Sequence, residues 1–200
     1  MSPVGWSGHY RGVEHDDRAL WDRVLSGDQR AFGVLFELHR DRIFRVLLRS
    51  SPVAADAEDL TAVVFLELRR SRNSARFVDR SLLPWLLVTA GNVARNATRS
   101  RRRYERFLAA LPAPDVEPDF IPAVDEHLDT KPATDALNTA PARLAAVDHA
   151  LITLTTIEGF ALAEAADAVG LTYGAAKTRL SRARRRLRNS HPHFSVVEAT

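Results

Sequence analysis

The chain has 200 residues, and a hydrophobic content of 46% is enough for one large domain or two small ones with buried cores. The absence of cysteine excludes a disulfide framework, a thiolate metal site and a cysteine nucleophile. The net charge is only +3, but residues 1–104 carry 18 basic and 12 acidic side chains, residues 105–140 carry 2 and 8, and residues 141–200 carry 8 and 5. All basic residues except two lysines are arginine. Because a gene with GC-rich codons also favours arginine over lysine, the positions of the charges are more informative than this preference.

Residues 1–15 are expected to form a flexible N-terminus. They lack the charged-then-apolar pattern of a secretory signal. No apolar run in the chain approaches the roughly 18 residues of a membrane span. We therefore expect a soluble, cytoplasmic protein with no membrane insertion of its own.

Residues 16–108 are predicted to form a domain of four helices, because no strand-like alternation lasts more than a few residues. The first helix groups Leu20, Val24 and Leu25 and ends at Gly27. The second begins after Asp28 as its N-cap and stops before Pro52. Its apolar stripe consists of Phe32, Leu35, Phe36, His39, Ile43 and Leu47.

The third and fourth helices of this domain combine apolar spacing with marked charge. The third places Leu60, Val64 and Leu68 at i, i+4 and i+8, and acidic residues crowd its first turn, where the helix dipole favours them. The fourth is predicted to start near Ser81, with Pro84 in its first turn. It then runs into the basic stretch "RNATRSRRRY" at residues 95–104.

Residues 109–140 are predicted to be an acidic linker. The stretch 111–141 holds six of the ten prolines and seven acidic residues against one lysine. Proline removes a backbone donor and disfavours helix in the residue before it. We therefore expect a mostly extended segment between two domains.

Residues 141–190 are predicted to form a second helical domain, followed by a C-terminal tail at 191–200. Its first helix is expected to open at Pro141, although the β-branched cluster "LITLTTI" would also suit a strand. A short helix then ends at Gly170, and Thr172 is a plausible N-cap for the last one. Helix, glycine-bearing turn and helix is the helix-turn-helix layout.

The last helix carries one narrow apolar stripe, formed by Ala176, Leu180, Ala183 and Leu187, while one lysine and six arginines occupy most of its other positions between 177 and 188. A recognition helix needs such a stripe, because one face packs on its partner helix and the other meets DNA. The alternative is a solvated helix or one that rests on an anionic membrane, but the stripe is rich in alanine and poor in aromatics.

The second basic run, at 95–104, follows the apolar "PWLLVTAGN" and lies near the aromatic residues Phe77 and Trp85. Arginines beside aromatics suit nucleic acid, where arginine meets phosphate and rings stack on unpaired bases. Each aromatic residue could equally belong to the core. Two basic helices, one in each domain, together favour nucleic-acid binding.

No catalytic set is recognisable in the sequence. There is no glycine-rich phosphate loop, and the histidine pairs His9 with His15 and His191 with His193 lie in the expected tails. We therefore expect no enzymatic activity, no metal and no cofactor. The acidic residues Asp56, Glu58 and Asp59 either cap and charge a helix or form a protein-docking face.

Three stretches resemble one known family, in its order along the chain: "DAEDLTAVVFLELRR", "PWLLVTAGNVARNATRSRRRY" and "EGFALAEAADAVGLTYGAAKTRLSRARRRLR". They are similar to regions 2.2, 2.3 to 2.4, and 4.2 of the extracytoplasmic-function (group IV) branch of the bacterial sigma-70 family of RNA polymerase sigma factors. The resemblance covers roughly residues 17–104 and 142–188. It implies an all-α fold with a sigma-2-like four-helix domain and a sigma-4-like helix-turn-helix domain, joined by the acidic proline-rich linker.

The resemblance also implies a role for each part. The chain would bind the β and β′ subunits of core RNA polymerase and promoter DNA, and an anti-sigma factor would hold it silent. The linker would thread toward the active-site cleft of the polymerase. Core polymerase would be bound through Asp56, Glu58, Asp59, Thr61 and Phe65; the minus 10 element through Arg76, Asn92, Arg95, Asn96, Arg99, Arg102 and Arg103; and the minus 35 element through Thr172, Tyr173, Ala175, Lys177, Thr178, Arg179, Arg182 and Arg186.

Some positions depart from the family pattern. Val63 replaces a common acid, Arg69 a common tryptophan and Ala165 a usual isoleucine. Ala175 stands where the family often has a threonine, so it offers no hydroxyl to a phosphate or base. These departures bear on the promoter sequence and on some polymerase contacts.

Two other classes of function remain open from the residues alone. A stand-alone helix-turn-helix repressor or activator, with a first domain that senses a ligand or dimerises, would bind duplex DNA without polymerase. An enzyme with an accessory DNA-binding domain is disfavoured by the lack of an assembled acid, base or nucleophile set.

Overall fold

The computed structural model describes residues 16–51, 53–72, 74–111 and 144–190. These residues form seven α-helices and no strand apart from an isolated bridge between Val78 and Ser81. The predicted all-α fold is confirmed. The helices are α1 (Asp17–Leu25), α2 (Gln29–Leu48), α3 (Ala54–Arg70), α4 (Leu83–Ala109), α5 (Ala146–Ile152), α6 (Leu162–Val169) and α7 (Tyr173–Ser190), and a π-helical turn, Thr153–Ile157, follows α5.

The first four helices form one unit whose helix starts follow local sequence signals. The carboxylate of Asp28 accepts hydrogen bonds from the backbone N–H groups of Arg30 and Ala31, at 2.9 and 3.2 Å, so the predicted cap of α2 is confirmed. Pro84 lies in the first turn of α4, as expected. The predicted stripes face inward, with these residues fully buried: Leu35, Ile43, Leu47, Val64 and Leu68.

The expectation that Leu25 belongs to the apolar stripe of α1 is wrong. Its side chain is 45% exposed, whereas Trp21, one turn earlier, is only 2% exposed and fills the core. Leu25 is the last residue of α1, where the chain turns away through Gly27 with a φ of 98°. The side chain of Trp21 therefore packs into the core in place of Leu25.

Asp17, buried at the start of α1, ties three parts of this unit together. Its Oδ2 accepts a 2.7 Å hydrogen bond from the backbone N–H of Leu82, just before α4, and lies 3.0 Å from Nε2 of His39 on α2. A buried carboxylate needs such partners, because burial of an uncompensated charge is costly. These contacts set where α4 leaves the loop that precedes it.

The second unit consists of α5, the π-helical turn, α6 and α7. Its first helix begins at Ala146 rather than at Pro141, because Ala145 has extended backbone angles, φ −63° and ψ 153°. Pro141 itself lies outside the described residues. The alternative of a strand for "LITLTTI" is wrong, since the segment is helical throughout and continues into the π-helical turn.

The two units pack against each other along α4, which contacts α5, the π-helical turn and α6. The carboxylate of Glu158, after the π-helical turn, accepts a hydrogen bond from Arg42 of α2. Buried side chains of both units form one continuous core. The structure therefore brings the two predicted domains into direct contact, which the sequence did not indicate.

Candidate nucleic-acid interface

The helix-turn-helix of α6 and α7 is built as the sequence predicted. Gly170 ends α6 in the left-handed region, with a φ of 73°, which favours glycine. The hydroxyl of Thr172 accepts a hydrogen bond from the N–H of Ala175 at 3.4 Å, so Thr172 caps α7. The small side chains Ala165 and Ala166 of α6 are buried and permit close approach. The predicted stripe of α7 is buried as well, at Ala176, Leu180, Ala183 and Leu187.

Most side chains predicted to read the minus 35 element lie on the outward face of α7. Arg179 differs, because it is half-buried and its Nε donates a 2.8 Å hydrogen bond to Oδ1 of the buried Asp148 on α5. This ion pair also orients α7 on α5. The others are exposed: Thr172, Tyr173, Ala175, Lys177, Thr178, Arg182 and Arg186. An exposed basic helix face of this kind is what the DNA major groove admits.

The basic half of α4 divides into two sets. Four of the predicted minus 10 residues are exposed: Asn96, Arg99, Arg102 and Arg103. Asn92 and Arg95 are half-buried on the side of α4 that faces α5. Burial lowers the pKa of the Arg95 guanidinium, and nearby Arg99 lowers it further. The structure thus separates residues that the sequence had grouped together.

Arg76 lies in the loop between α3 and α4, away from the arginine run. Its guanidinium packs against Gly170 so closely that a Cβ on that glycine would be 2.7 Å from Cζ. The loop also holds two non-glycine residues with positive φ, Asp79 and Arg80, and Arg80 donates to Asp16. The contacts of Arg76 with Gly170 and of Arg80 with Asp16 join distant segments and had no signal in the sequence. The positive φ angles belong to the tight turn that Val78 and Ser81 close with backbone hydrogen bonds.

The acidic first half of α3 presents a mixed surface. Asp56, Glu58 and Asp59 are exposed, as a docking face requires. Thr61 and Phe65, predicted with them, are buried: the Thr61 hydroxyl donates to the carbonyl of Ala57 at 2.7 Å. These two residues support the face from inside the bundle.

Two apolar side chains of α3 lie outward beside the acidic residues. Val63 is 39% exposed and Leu66 is 58% exposed. An apolar patch next to charged groups is typical of protein interfaces. Val63 drew attention as a departure from the family pattern, whereas nothing in the spacing singled out Leu66. Below them, the ring of Phe65 packs edge-on to Phe36 of α2, with 4.7 Å between centroids.

Within the described ranges, no group of three or more His, Asp or Glu side chains is arranged to hold a metal ion. Among the described helices, none is long and apolar enough to cross a bilayer. The surfaces that remain are the basic faces of α4 and α7 and the acidic-apolar face of α3.

Comparison with known proteins identifies the family. Residues 35–104 match the family description Sigma-70 region 2, and residues 134–187 match Sigma-70, region 4. The RNA polymerase sigma factor CarQ of Myxococcus xanthus is 32% identical over 171 residues, which cover 84% of this chain and 92% of that protein. The ECF RNA polymerase sigma factor BldN of Streptomyces coelicolor is 32% identical over 185 residues, which cover 90% of this chain and 69% of that protein.

A solved structure shares the fold over almost the whole chain. CnrH, in complex with the cytosolic domain of CnrY, superposes with a TM-score of 0.53 and 25% sequence identity, covering 90% of this chain and 100% of that one. Both sigma-70 regions occur here in one chain, and both sequence relatives extend over most of it. The chain therefore belongs to the extracytoplasmic-function branch of the sigma-70 family of RNA polymerase sigma factors.

Proposed function

We propose that this chain binds core RNA polymerase and directs promoter recognition, DNA melting and transcription initiation. The observation that carries the proposal is the division of α7 into two faces. One face, alanine and leucine, packs on the rest of its unit, and the other presents Lys177, Arg182 and Arg186 to solvent. A helix with this division suits the major groove of the minus 35 element.

The other surfaces receive corresponding roles. Residues 16–108 bind core polymerase through Asp56, Glu58 and Asp59, with Thr61 and Phe65 holding that face from below. Residues 109–140 form the linker, and residues 141–190 read the minus 35 element. The exposed apolar side chains of Val63 and Leu66 support a protein partner at α3, since apolar groups at the centre of an interface contribute most when water is excluded.

The minus 10 element is assigned to the basic half of α4 and to Arg76. Asn96, Arg99, Arg102 and Arg103 are exposed and can reach phosphate as the structure stands. Asn92, Arg95 and Arg76 contact or face the second unit, so they become available when the two units separate. Extrusion of a base costs a few kcal/mol, and a pocket formed by these residues would offset that cost.

The chain is proposed to act in the cytoplasm without catalysis, metal or cofactor of its own. We also propose an anti-sigma partner that holds it silent. The support for such a partner is that CnrH, which shares this fold, was solved with the cytosolic domain of another protein. The acidic-apolar face of α3 is the surface that such a partner and the polymerase would compete for.

Run-off transcription with core RNA polymerase over a promoter library tests class and specificity together. We expect transcripts from a defined subset of promoters only when the chain is added. A variant with both Arg182 and Arg186 replaced by glutamine should lose that selectivity yet still co-purify with core polymerase. Failure of the unmodified chain to bind core polymerase in a pull-down would contradict the proposal. Tight, sequence-specific binding to duplex DNA without polymerase would instead indicate a stand-alone regulator.

A further inference from the structure

A cavity of about 290 Å³ lies where the two units meet. Its walls come from α2, α4, α5 and the π-helical turn, so both units contribute to it. Several groups at this cavity, among them His149, Thr153 and Glu158, have no part in the promoter or polymerase contacts proposed above. The cavity therefore extends beyond those surfaces and shares Arg95 and Arg102 of α4 with the proposed minus 10 surface.

The cavity wall carries more positive than negative charge. Arg49, Arg95, Arg101 and Arg102 line it, against the carboxylates of Glu105 and Glu158. Glu158 already accepts hydrogen bonds from Arg42 and from Arg49, at 3.4 Å for the latter. Its charge is thus matched locally. Arg101 lies 3.9 Å from the carboxylate of Asp56, so Arg95 and Arg102 against Glu105 account for the excess of positive charge at the cavity.

Among the residues that line the cavity, Arg95 has buried hydrogen-bond donors without an acceptor. Its Nε and Nη1 atoms are buried and have no hydrogen-bond partner among the described residues. A buried donor on a charged group is costly when it stays unpaired. The neighbouring imidazole of His149 makes no hydrogen bond to these two atoms. Burial and the charge of Arg95 lower the pKa of His149 to about 4, so the ring is neutral near pH 7 and adds no positive charge.

We propose that this cavity binds a small molecule through a phosphate group, with Arg95 as its principal charged contact. A phosphate monoester carries nearly two negative charges near pH 7 and three strong acceptor oxygens, which matches the excess of arginine. The volume equals that of roughly ten water molecules, enough for a phosphate and a short carbon skeleton. The side chains of Leu87, Ala90 and Ala94 supply apolar wall beside it.

Two sources could present the same phosphate chemistry, a free phosphorylated molecule or the DNA backbone. The structure favours the free molecule, because α5 and the π-helical turn close one side of the cavity and a duplex is far larger than 290 Å³. A ligand there would touch both units at once and hold them together. With the units held together, Asn92, Arg95 and Arg76 would stay unavailable to the promoter. This effect on promoter binding rests on the proposed function, whereas the binding of the small molecule does not.

The test is isothermal titration of the full chain, without DNA or polymerase, with glycerol 3-phosphate and with inorganic phosphate at constant ionic strength. We expect saturable binding of one molecule per chain. The variant Arg95→Gln should weaken it at least tenfold and should still fold, because Arg95 is only half-buried and its buried Nε and Nη1 atoms make no hydrogen bond that would be lost. The matched control Arg188→Gln, an exposed arginine of α7, should bind like the unmodified chain.

Three results would overturn the proposal. They are the absence of saturable binding, equal weakening by Arg95→Gln and Arg188→Gln, and binding of a promoter-free DNA duplex at Arg95 in place of the small phosphates. Because no promoter or polymerase is present, failure of the sigma-factor assignment would leave these outcomes unchanged. A thermal-denaturation scan of each variant should show cooperative unfolding, which separates loss of the site from loss of the fold.

Discussion

The carboxylate of Glu158 accepts a hydrogen bond from the guanidinium of Arg42, which lies 116 residues earlier in the chain. The Glu158 side chain is 1% exposed and that of Arg42 is 19% exposed, so the ion pair is largely shielded from water. It joins α2 of the first unit to the end of the π-helical turn in the second. The contact between the units is therefore partly ionic.

Replacing Glu158 with glutamine should lower the free energy of unfolding by about 2 kcal/mol or more. Glutamine removes the negative charge that pairs with Arg42 and Arg49 at a site shielded from water, where loss of an ion-pair partner is strongly destabilising. Urea denaturation of the full chain measures the change. Glu37→Gln is the matched control, because Glu37 is an exposed partner of Arg40 and such surface pairs contribute less than about 1 kcal/mol. Equal effects of the two variants would contradict the shielded geometry.

Alanine should act in opposite directions at two glycines. At Gly170 it should destabilise by about 1–2 kcal/mol, because φ is 73° and the new Cβ would displace the guanidinium of Arg76. At Gly91, inside α4, it should stabilise by about 0.5–1 kcal/mol, because alanine is the better helix former. There the Cβ would meet Nδ1 of His149 at 3.8 Å, an ordinary contact. Thermal denaturation of both variants checks the signs.

Stability should fall as the pH drops below about 6.5. Burial, and then the charge of Arg95, lower the pKa of His149 from 6.5 to about 4 in the folded chain. The unfolded chain therefore takes up a proton at a higher pH than the folded one. The contribution is fully present above pH 6.5, and about 2 kcal/mol of it should be lost by pH 5. Urea denaturation from pH 7.5 to 5 measures this loss, which His149→Gln should largely remove.

Substitution of two arginines of α7 should distinguish an effect on DNA affinity alone from an effect on both affinity and stability. Arg182→Gln should weaken minus 35 binding by the holoenzyme and reduce the salt dependence by about one ion, without a change in Tm. Arg179→Gln should reduce both affinity and Tm, because Arg179 also pairs with the buried Asp148. Fluorescence anisotropy across a salt series, together with thermal denaturation, measures these quantities. An unchanged salt slope for Arg182→Gln would argue against its phosphate contact.

The anchor at the start of α1 should contribute strongly to the first unit. In Asp17→Ala the N–H of Leu82 and the ring of His39 lose their shared acceptor. We expect a loss of about 2 kcal/mol or more, since each group is left without its partner. Hydrogen exchange at Leu82 should accelerate in this variant. An unaltered exchange rate would mean that the loop before α4 is held by other contacts.

Local signals were sufficient for most of the helices. Asp28, Pro84, Gly170 and Thr172 each act on neighbours within four residues, and the sequence placed all of them correctly. The start of α5 at Ala146 had no such signal, because Ala145 makes no side-chain hydrogen bond to cap it. Helix ends are therefore easier to predict from the sequence where a residue at the end itself provides a capping or turn signal.

Long-range contacts could not be read from the sequence. Asp17 and Leu82 are 65 residues apart, and Arg42 and Glu158 are farther still, so neither pairing has a periodic signal. The same limit affects the candidate sites. Periodicity placed Arg179 and Arg182 together as basic positions of α7, but only the packing of α5 shows that one of them is paired with Asp148.

The two faces of α7 have a consequence for how this protein can diverge. The side chains that hold the helix in place, Ala176, Leu180, Ala183 and Leu187, are a different set from the exposed residues around Tyr173, Ala175 and Lys177. Substitutions in the exposed set cost little stability, so under the proposed function promoter preference can change through single mutations that leave the fold intact. Arg179 is the exception, because it is proposed to bind DNA and also pairs with Asp148, so a substitution there would affect both DNA binding and stability.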